Sequence, residues 1–102
     1  MILINTTYQI PDNNIQAWLG WLKSTYLPSV LKSGVLRNPR LNHVLAEMPE
    51  GQSAYALQFE VESFELLEKW SETEGSVLRT SMHDVFKDEI TGFTTLMETI
   101  AL

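Results

Sequence analysis

Hydrophobic and polar positions alternate over residues 52–61, and at Ser63 the hydrophobic spacing changes from that of a strand to that of a helix. Strict alternation is typical of a strand with one buried face, and a spacing of about three to four residues is typical of an amphipathic helix. The more apolar row, which we expect to face the helices, is Tyr55, Leu57, Phe59 and Val61. The opposite row is Ala54, Ala56, Gln58 and Glu60. The stretch Gln52–Trp70 therefore predicts a strand that runs directly into a helix.

Three further strands are predicted by alternating or β-branched segments. The first spans about Ile2–Ile10 and ends at Pro11, which cannot donate a hydrogen bond to a sheet. The second spans about Arg40–Met48, and its weaker alternation suits an edge strand. The turn Pro49–Gly51 joins it to the strand described above in a hairpin. The last strand spans about Ile90–Ile100 and is rich in threonine, which favours strands.

A first amphipathic helix is predicted between the first two strands. Asp12, Asn13 or Asn14 can cap its start, because a short polar side chain there can accept a hydrogen bond from the first turn. Pro28 is expected to kink this helix or to start a fresh turn, and Gly34 to end it. Its apolar stripe consists of Ile15, Trp18, Leu19, Leu22 and Tyr26.

A second helix follows Ser63, which is a good N-terminal cap. Its first turns have Phe64, Leu67 and Trp70 on the side predicted to be buried. We expect the sequence Glu74–Ser76 to interrupt it and Ser76 to cap a new helical segment. The apolar residues of that segment are Val77 or Leu78, Met82, Val85 and Phe86.

The element order β-α-β-β-α-β predicts one α+β domain over residues 1–102. Right-handed crossovers in two βαβ units give a ferredoxin-like fold, with a four-stranded antiparallel sheet and both helices on one of its faces. Strands one and three are then central. The uncovered face would carry small or uncharged groups, among them Asn5, Thr7 and Gln9 beside the row that contains Gln58. We expect this face to meet a second copy of the chain and form a homodimer, the alternative being an ordinary solvated face.

Composition restricts the partners. The chain has 102 residues, 7 basic and 13 acidic, and a net charge of -6, so nucleic acid and anionic membranes are not expected partners. The third strand also lacks the basic residue and glycine of an RNA-binding strand of this topology. There is no cysteine, which excludes disulfides and a cysteine nucleophile and fits a cytoplasmic location. The segment Met1–Thr7 indicates a strand that starts at once, not a signal peptide.

Few side chains suggest chemistry. Neither histidine lies in an HxH or HExxH spacing, so we predict no metal site, and no cofactor motif is present. A small-molecule ligand remains open, and the ligand-binding candidates are Asn5, Thr7, His43, Gln58 and His83. For each of these, a plain structural role is the alternative: hydrogen bonds across a dimer for the amides and threonine, and a boundary position for the histidines.

Several segments together resemble a family of short bacterial proteins of unknown function. They are Asn5–Thr7, Tyr26–Pro28, Asn38–Arg40, Ser53–Gln58 and Gly92–Leu96, so the resemblance covers essentially the whole chain. The chain is also similar, more loosely, to the dimeric α+β barrel group, which packs two such sheets face to face. That group includes cofactor-free monooxygenases, which often carry a cavity histidine in the second helix region, where this chain has Trp70 and, further along, His83.

Two functional hypotheses follow, beside a purely structural one. The first is a homodimeric α+β domain that binds a small ligand or a protein partner. The second is a cofactor-independent enzyme of the monooxygenase or isomerase type. A pocket that aligns His83 or His43 with Asn5, Thr7 or Gln58 would favour the enzyme.

Overall fold

The computed structural model describes residues 1–102 and has the predicted element order. Its strands are β1 Ile2–Pro11, β2 Leu36–Val44, β3 Gln52–Val61 and β4 Thr91–Glu98. The first helical region consists of α1 Ile15–Trp21, a π turn Leu22–Tyr26 and α2 Leu27–Lys32. The second consists of α3 Phe64–Trp70, a π turn Ser71–Gly75 and α4 Ser76–Phe86. Short 3-10 turns occupy Asp12–Asn14 and Lys87–Glu89.

The sheet has the order β2-β3-β1-β4, with every neighbouring pair antiparallel. This confirms the ferredoxin-like fold and the central position of β1 and β3. Direct cross-strand partners share a face of the sheet. Tyr8 pairs with Tyr55 on the helix side, whereas Thr7 pairs with Ala56 on the open face. The two rows of β3 therefore lie on the faces predicted from their alternation.

The core lies between the helix side of the sheet and the two helical regions. Trp18 is fully buried and packs against both Tyr8 and Tyr55, with ring centroids 5.3 and 6.0 Å apart. Trp21 makes an edge contact with Phe86 across the two helical regions. These aromatic contacts connect the helices to the sheet and to each other.

The first helical region contains a π turn that ends just before Leu27 and Pro28. Proline has no N–H and crowds the turn before it, so the wider π turn accommodates the break in the hydrogen-bond ladder. None of the three expected side-chain caps is formed. Asp12 instead accepts a hydrogen bond from Ser53 at 2.6 Å, and Asn14 donates to Glu89, so both side chains fix tertiary contacts.

The second helical region differs from its prediction in its continuity and in the burial of some apolar residues. Ser63 does cap α3, accepting from the Leu66 N–H at 3.3 Å. The predicted interruption at Gly75 is wrong, because the chain continues through a π turn with helical dihedrals, and Ser76 makes no cap. Phe64, expected to be buried, is 57% exposed, and Val77 and Val85 are exposed as well.

β2 begins and ends about four residues earlier than predicted. Asn38 and Pro39 lie within the strand and stand against the single residue Phe59, since Arg37 pairs with Glu60 and Arg40 with Gln58. Asn38 has φ of 53°, the left-handed conformation that a bulge of this kind uses and that asparagine tolerates. The bulge keeps Arg37 and Arg40 on the open face.

Candidate functional site

A half-open cavity of about 720 Å³ lies between the helix side of the sheet and the second helical region. Of its 22 lining residues 12 are hydrophobic, so its character is mainly apolar. β1, β3 and β4 form its floor, and α3, the π turn Ser71–Gly75 and α4 form its wall. Phe64 and Leu96 line it while remaining partly exposed, which explains why large apolar groups in these elements are not fully buried.

The floor carries a small number of hydroxyl groups. Thr6 and Thr94 are cross-strand partners, and their Oγ1 atoms are 2.9 Å apart in a hydrogen bond. The Tyr8 ring lies over Gly92, because a Cβ on that glycine would be 3.0 Å from Cδ1 of Tyr8. Gly92 thus lets an aromatic ring lie close to the sheet at the cavity.

Tyr8 and Tyr26 both line the cavity with their phenol groups kept largely from water. Burial raises the pKa of Tyr8 well above 10.0, and the neighbouring Tyr26 raises it further. Burial also raises the pKa of Tyr26. The Arg79 charge opposes both shifts without overcoming them. Both phenols are therefore neutral hydrogen-bonding groups, not anions, at ordinary pH.

Arg79 of α4 reaches back along the helical region to the π turn. Its Nη1 donates to Oγ of Ser71 at 3.2 Å, and its Nη2 donates to the Ser71 carbonyl oxygen at 2.8 Å. Both residues line the cavity. The guanidinium is thus held in place at the cavity wall by two hydrogen bonds.

His83 lies at the rim of the cavity, where its side chain is 62% exposed. Its Nε2 is 3.1 Å from Oδ1 of Asp88, which lies in the 3-10 turn after α4. Asp84, its sequence neighbour, is not the partner, in agreement with the rule that adjacent helical residues do not face each other. The geometry gives His83 an orienting carboxylate beside a cavity.

The other predicted site residues do not line this cavity. Asn5, Thr7 and Gln58 lie together on the open face, where the Asn5 amide donates to Oγ1 of Thr7 at 3.2 Å and Asn5 pairs with Gln58. His43 lies on the helix side of the sheet but stacks on Tyr55 with ring centroids 4.8 Å apart, away from the cavity. The sheet therefore separates the two histidines from the polar cluster, and no pocket aligns them.

Sequence reasoning missed the residues that do shape the cavity. Trp70 is predicted only as a buried core residue. It is 7% exposed and lines the cavity wall, and its buried Nε1 has no hydrogen-bond partner. Arg79 and Ser71 carry no motif. They are eight positions apart and meet only because the helix contains a π turn. No linear pattern announces such a contact.

No three His, Asp or Glu side chains lie close enough together to hold a metal ion. None of the helices combines the length and the apolar character needed to cross a bilayer.

Comparison with solved structures supports the fold. HapK from Hahella chejuensis superposes with a TM-score of 0.73 at 10% identity, covering 100% of this chain and 95% of that one. A dimeric ferredoxin-like protein from an uncultured marine organism gives a TM-score of 0.72 at 13% identity, with 99% and 96% covered. An antibiotic biosynthesis monooxygenase gives 0.61 at 15% identity, with 99% and 100% covered. These proteins share the architecture described above.

Sequence comparison adds a family without a known activity. No curated protein sequence matches the chain. A family model does match it over residues 1–100, which is nearly its full length. The protein belongs to the family described as a domain of unknown function, DUF4286.

Proposed function

We propose that the protein is a homodimer that binds a small, mainly apolar ligand in the cavity between its sheet and its second helical region. The cavity carries this proposal. Its volume of about 720 Å³ is within the range of small-molecule sites, and its lining combines a hydrophobic majority with a few fixed polar groups.

The open face of the sheet supports the dimer. Beside its amides and threonines it carries Leu3, Phe93 and Met97, and Phe93 is 65% exposed. Apart from Arg37 and Arg40 on the edge strand β2 and Glu60 near the end of β3, this face carries apolar and uncharged polar groups, a mixture that is typical of interfaces. The similar marine protein is itself described as dimeric. We propose a cytoplasmic location for this dimer, and the absence of cysteine is compatible with that reducing compartment.

A pair of tryptophan substitutions tests the cavity. Leu96 on β4 and Leu66 on α3 are 41% and 42% exposed, but Leu96 lines the cavity and Leu66 does not. Leu96→Trp is expected to fill the cavity, whereas Leu66→Trp adds the same side chain away from both the cavity and the open face. The probe is a neutral planar aromatic, 2-naphthamide, and binding is measured by fluorescence titration and by the rise in Tm.

The proposal is supported if the wild type and Leu66→Trp bind the probe and Leu96→Trp binds it at least about tenfold more weakly. Such a loss corresponds to about 1.4 kcal/mol. Equal binding by both variants would place the probe outside the cavity and contradict it. No binding of this probe or of a panel of apolar metabolites to the wild type would also contradict it.

A second candidate, a cofactor-independent enzyme, is favoured by the position of His83. It lines the cavity with Asp88 beside it, and one similar structure is described as an antibiotic biosynthesis monooxygenase. A histidine so placed can act as a general base toward a bound substrate. Oxygen uptake with a dihydroxynaphthalene tests it, comparing His83→Ala with His43→Ala. If oxygen uptake is lost in His83→Ala but kept in His43→Ala, the enzyme hypothesis is supported. If the wild type and both variants show the same background uptake, the hypothesis is rejected for this substrate class.

A further inference from the structure

Arg79 differs from the other basic residues in how it is held. The chain has 7 lysines and arginines, and Arg79 is the one whose side chain donates hydrogen bonds to protein atoms. Both bonds go to Ser71, one to its hydroxyl and one to its carbonyl oxygen. A guanidinium has five N–H donors in a fixed fork, so three remain available. The guanidinium is therefore oriented by Ser71 and still has N–H donors free for a ligand.

No carboxylate neutralises this cation. Although the chain has 13 acidic residues, the one ion pair in the structure joins His83 and Asp88. The partners of Arg79 are the neutral oxygens of Ser71. A fixed guanidinium with free donors at a cavity wall is suited to binding an oxyanion through charge-assisted hydrogen bonds.

The Arg79 guanidinium and the Trp70 indole both lie close to Gly75. A Cβ on Gly75 would lie 3.2 Å from Nη1 of Arg79 and 2.7 Å from Cζ3 of Trp70. The absence of a side chain therefore lets the guanidinium and the indole pack close to the same point of the π turn. π turns are frequent at functional sites, and this one assembles a donor and a ring side by side.

The remaining lining residues restrict the kind of anion. Glu68 and Glu72 also line the cavity, so their charges disfavour a ligand with several negative charges, such as a polyphosphate. Trp70, Tyr8 and Phe59 supply aromatic surface. We infer that the ligand is a planar aromatic acid whose single carboxylate is bound by Arg79, an inference that rests on the proposed function of the cavity.

A pair of probes tests this inference. 2-Naphthoate and 2-naphthamide have the same ring and nearly the same shape, and differ by one negative charge. Their Kd values are measured by fluorescence titration for the wild type, Arg79→Gln and Lys87→Gln. Lys87 is the matched control, since it also lines the cavity as a cation but is not held by hydrogen bonds. Thermal unfolding checks that each variant is folded.

The wild type is expected to bind the naphthoate at least about tenfold more tightly than the amide, as a hydrogen-bonded charged contact allows. Arg79→Gln should lose this preference while its affinity for the amide is unchanged, and Lys87→Gln should keep it. Arg79→Lys keeps the positive charge but lacks the forked N–H donors of the guanidinium, so it should retain part of the preference for the naphthoate. It replaces Arg79→Gln in the test if that variant fails to fold.

Other outcomes separate the two proposals. If the wild type binds both probes equally, or if Lys87→Gln rather than Arg79→Gln loses the preference, the carboxylate inference is overturned while the cavity function stands. If neither probe nor any apolar metabolite binds, the cavity function fails and the inference fails with it.

Discussion

A Cβ atom on Gly75 would lie 2.7 Å from Cζ3 of Trp70, so the π turn tolerates only glycine at this point. Gly75→Ala should therefore destabilise the protein by about 1–3 kcal/mol, the usual effect of overpacking a well-packed interior. Cζ3 and Cε3 of Trp70 would lie 2.7 and 3.0 Å from this Cβ, so the whole indole ring would have to shift. Denaturation in urea, followed by tryptophan fluorescence, measures the change.

Gly20 provides the matched control for this substitution. It lies in α1, and a Cβ there would have nothing within 4 Å. Gly20→Ala should raise the free energy of unfolding by about 0.4–1 kcal/mol, since alanine reduces the entropy of the unfolded chain and favours helices. If both variants become more stable, no steric contact requires glycine at position 75, and the description of the π turn is wrong.

The same π turn explains why the sequence predicted the fold but not the cavity. An α-helix turns once in about 3.6 residues, so positions eight apart diverge on its surface. The π turn inserts about one extra residue, and Ser71 and Arg79 then come together two turns apart. Helical periodicity gives no sign of this insertion. In the sequence Gly75 indicates the end of a helix, but in the structure it leaves space for the Trp70 ring.

The sheet was easier to predict because alternation acts locally. The two rows of β3 lie on the predicted faces, and the cross-strand register then assigns the faces of β1. β2 was misplaced because Asn38 and Pro39 look like a turn. In the sheet they form a bulge, and the pairing of Arg37 with Glu60 extends the strand before it. Tertiary pairing thus overrides a local turn signal.

The proposed dimer can be tested at the centre of the open face. Ala56 lies there between its cross-strand partners Thr7 and Asn42. A twofold interface brings the same patch of both subunits together, so Ala56→Arg places two like charges in one small area. We expect the variant to sediment as a monomer at concentrations where the wild type is a dimer, in analytical ultracentrifugation.

Gln16→Arg is the control for the added charge. Gln16 is exposed on α1, away from the open face. This variant should remain dimeric, and both variants should have the same helical circular dichroism as the wild type. A monomeric wild type, or a dimeric Ala56→Arg, would rule out self-association through this face.

The buried phenols predict a loss of stability at alkaline pH. Burial raises the pKa of Tyr8 and Tyr26 above 10.0, the value that both groups recover in the unfolded chain. Above about pH 10 the unfolded state releases protons that the folded state retains. The free energy of unfolding should then fall by about 1.4 kcal/mol per pH unit for Tyr8, which stays protonated in the folded state, and the raised pKa of Tyr26 adds to the decline. Below about pH 10 neither tyrosine contributes to the pH dependence of stability.

Tyr8→Phe isolates this effect from the titration of the lysines. The variant is compared with the wild type in urea denaturation at pH 8, 10 and 11. Its stability should decline less steeply above pH 10, because one of the two retained protons is no longer present. Parallel declines for both proteins would mean that the Tyr8 phenol is not shielded from water in the folded state.

The two serines predicted as caps have different surroundings, and their substitution should distinguish them. The Ser63 hydroxyl accepts from the Leu66 N–H, so Ser63→Ala leaves a helix-start donor without its partner and should cost about 1 kcal/mol. Ser76 follows the π turn in continuous helix and caps nothing. Ser76→Ala should be neutral or slightly stabilising, since alanine has the higher helix propensity. The midpoints of urea denaturation curves with equal slopes give the change in the free energy of unfolding for each variant. If Ser76→Ala loses as much stability as Ser63→Ala, the region consists of two separate helices and not of one continuous helix.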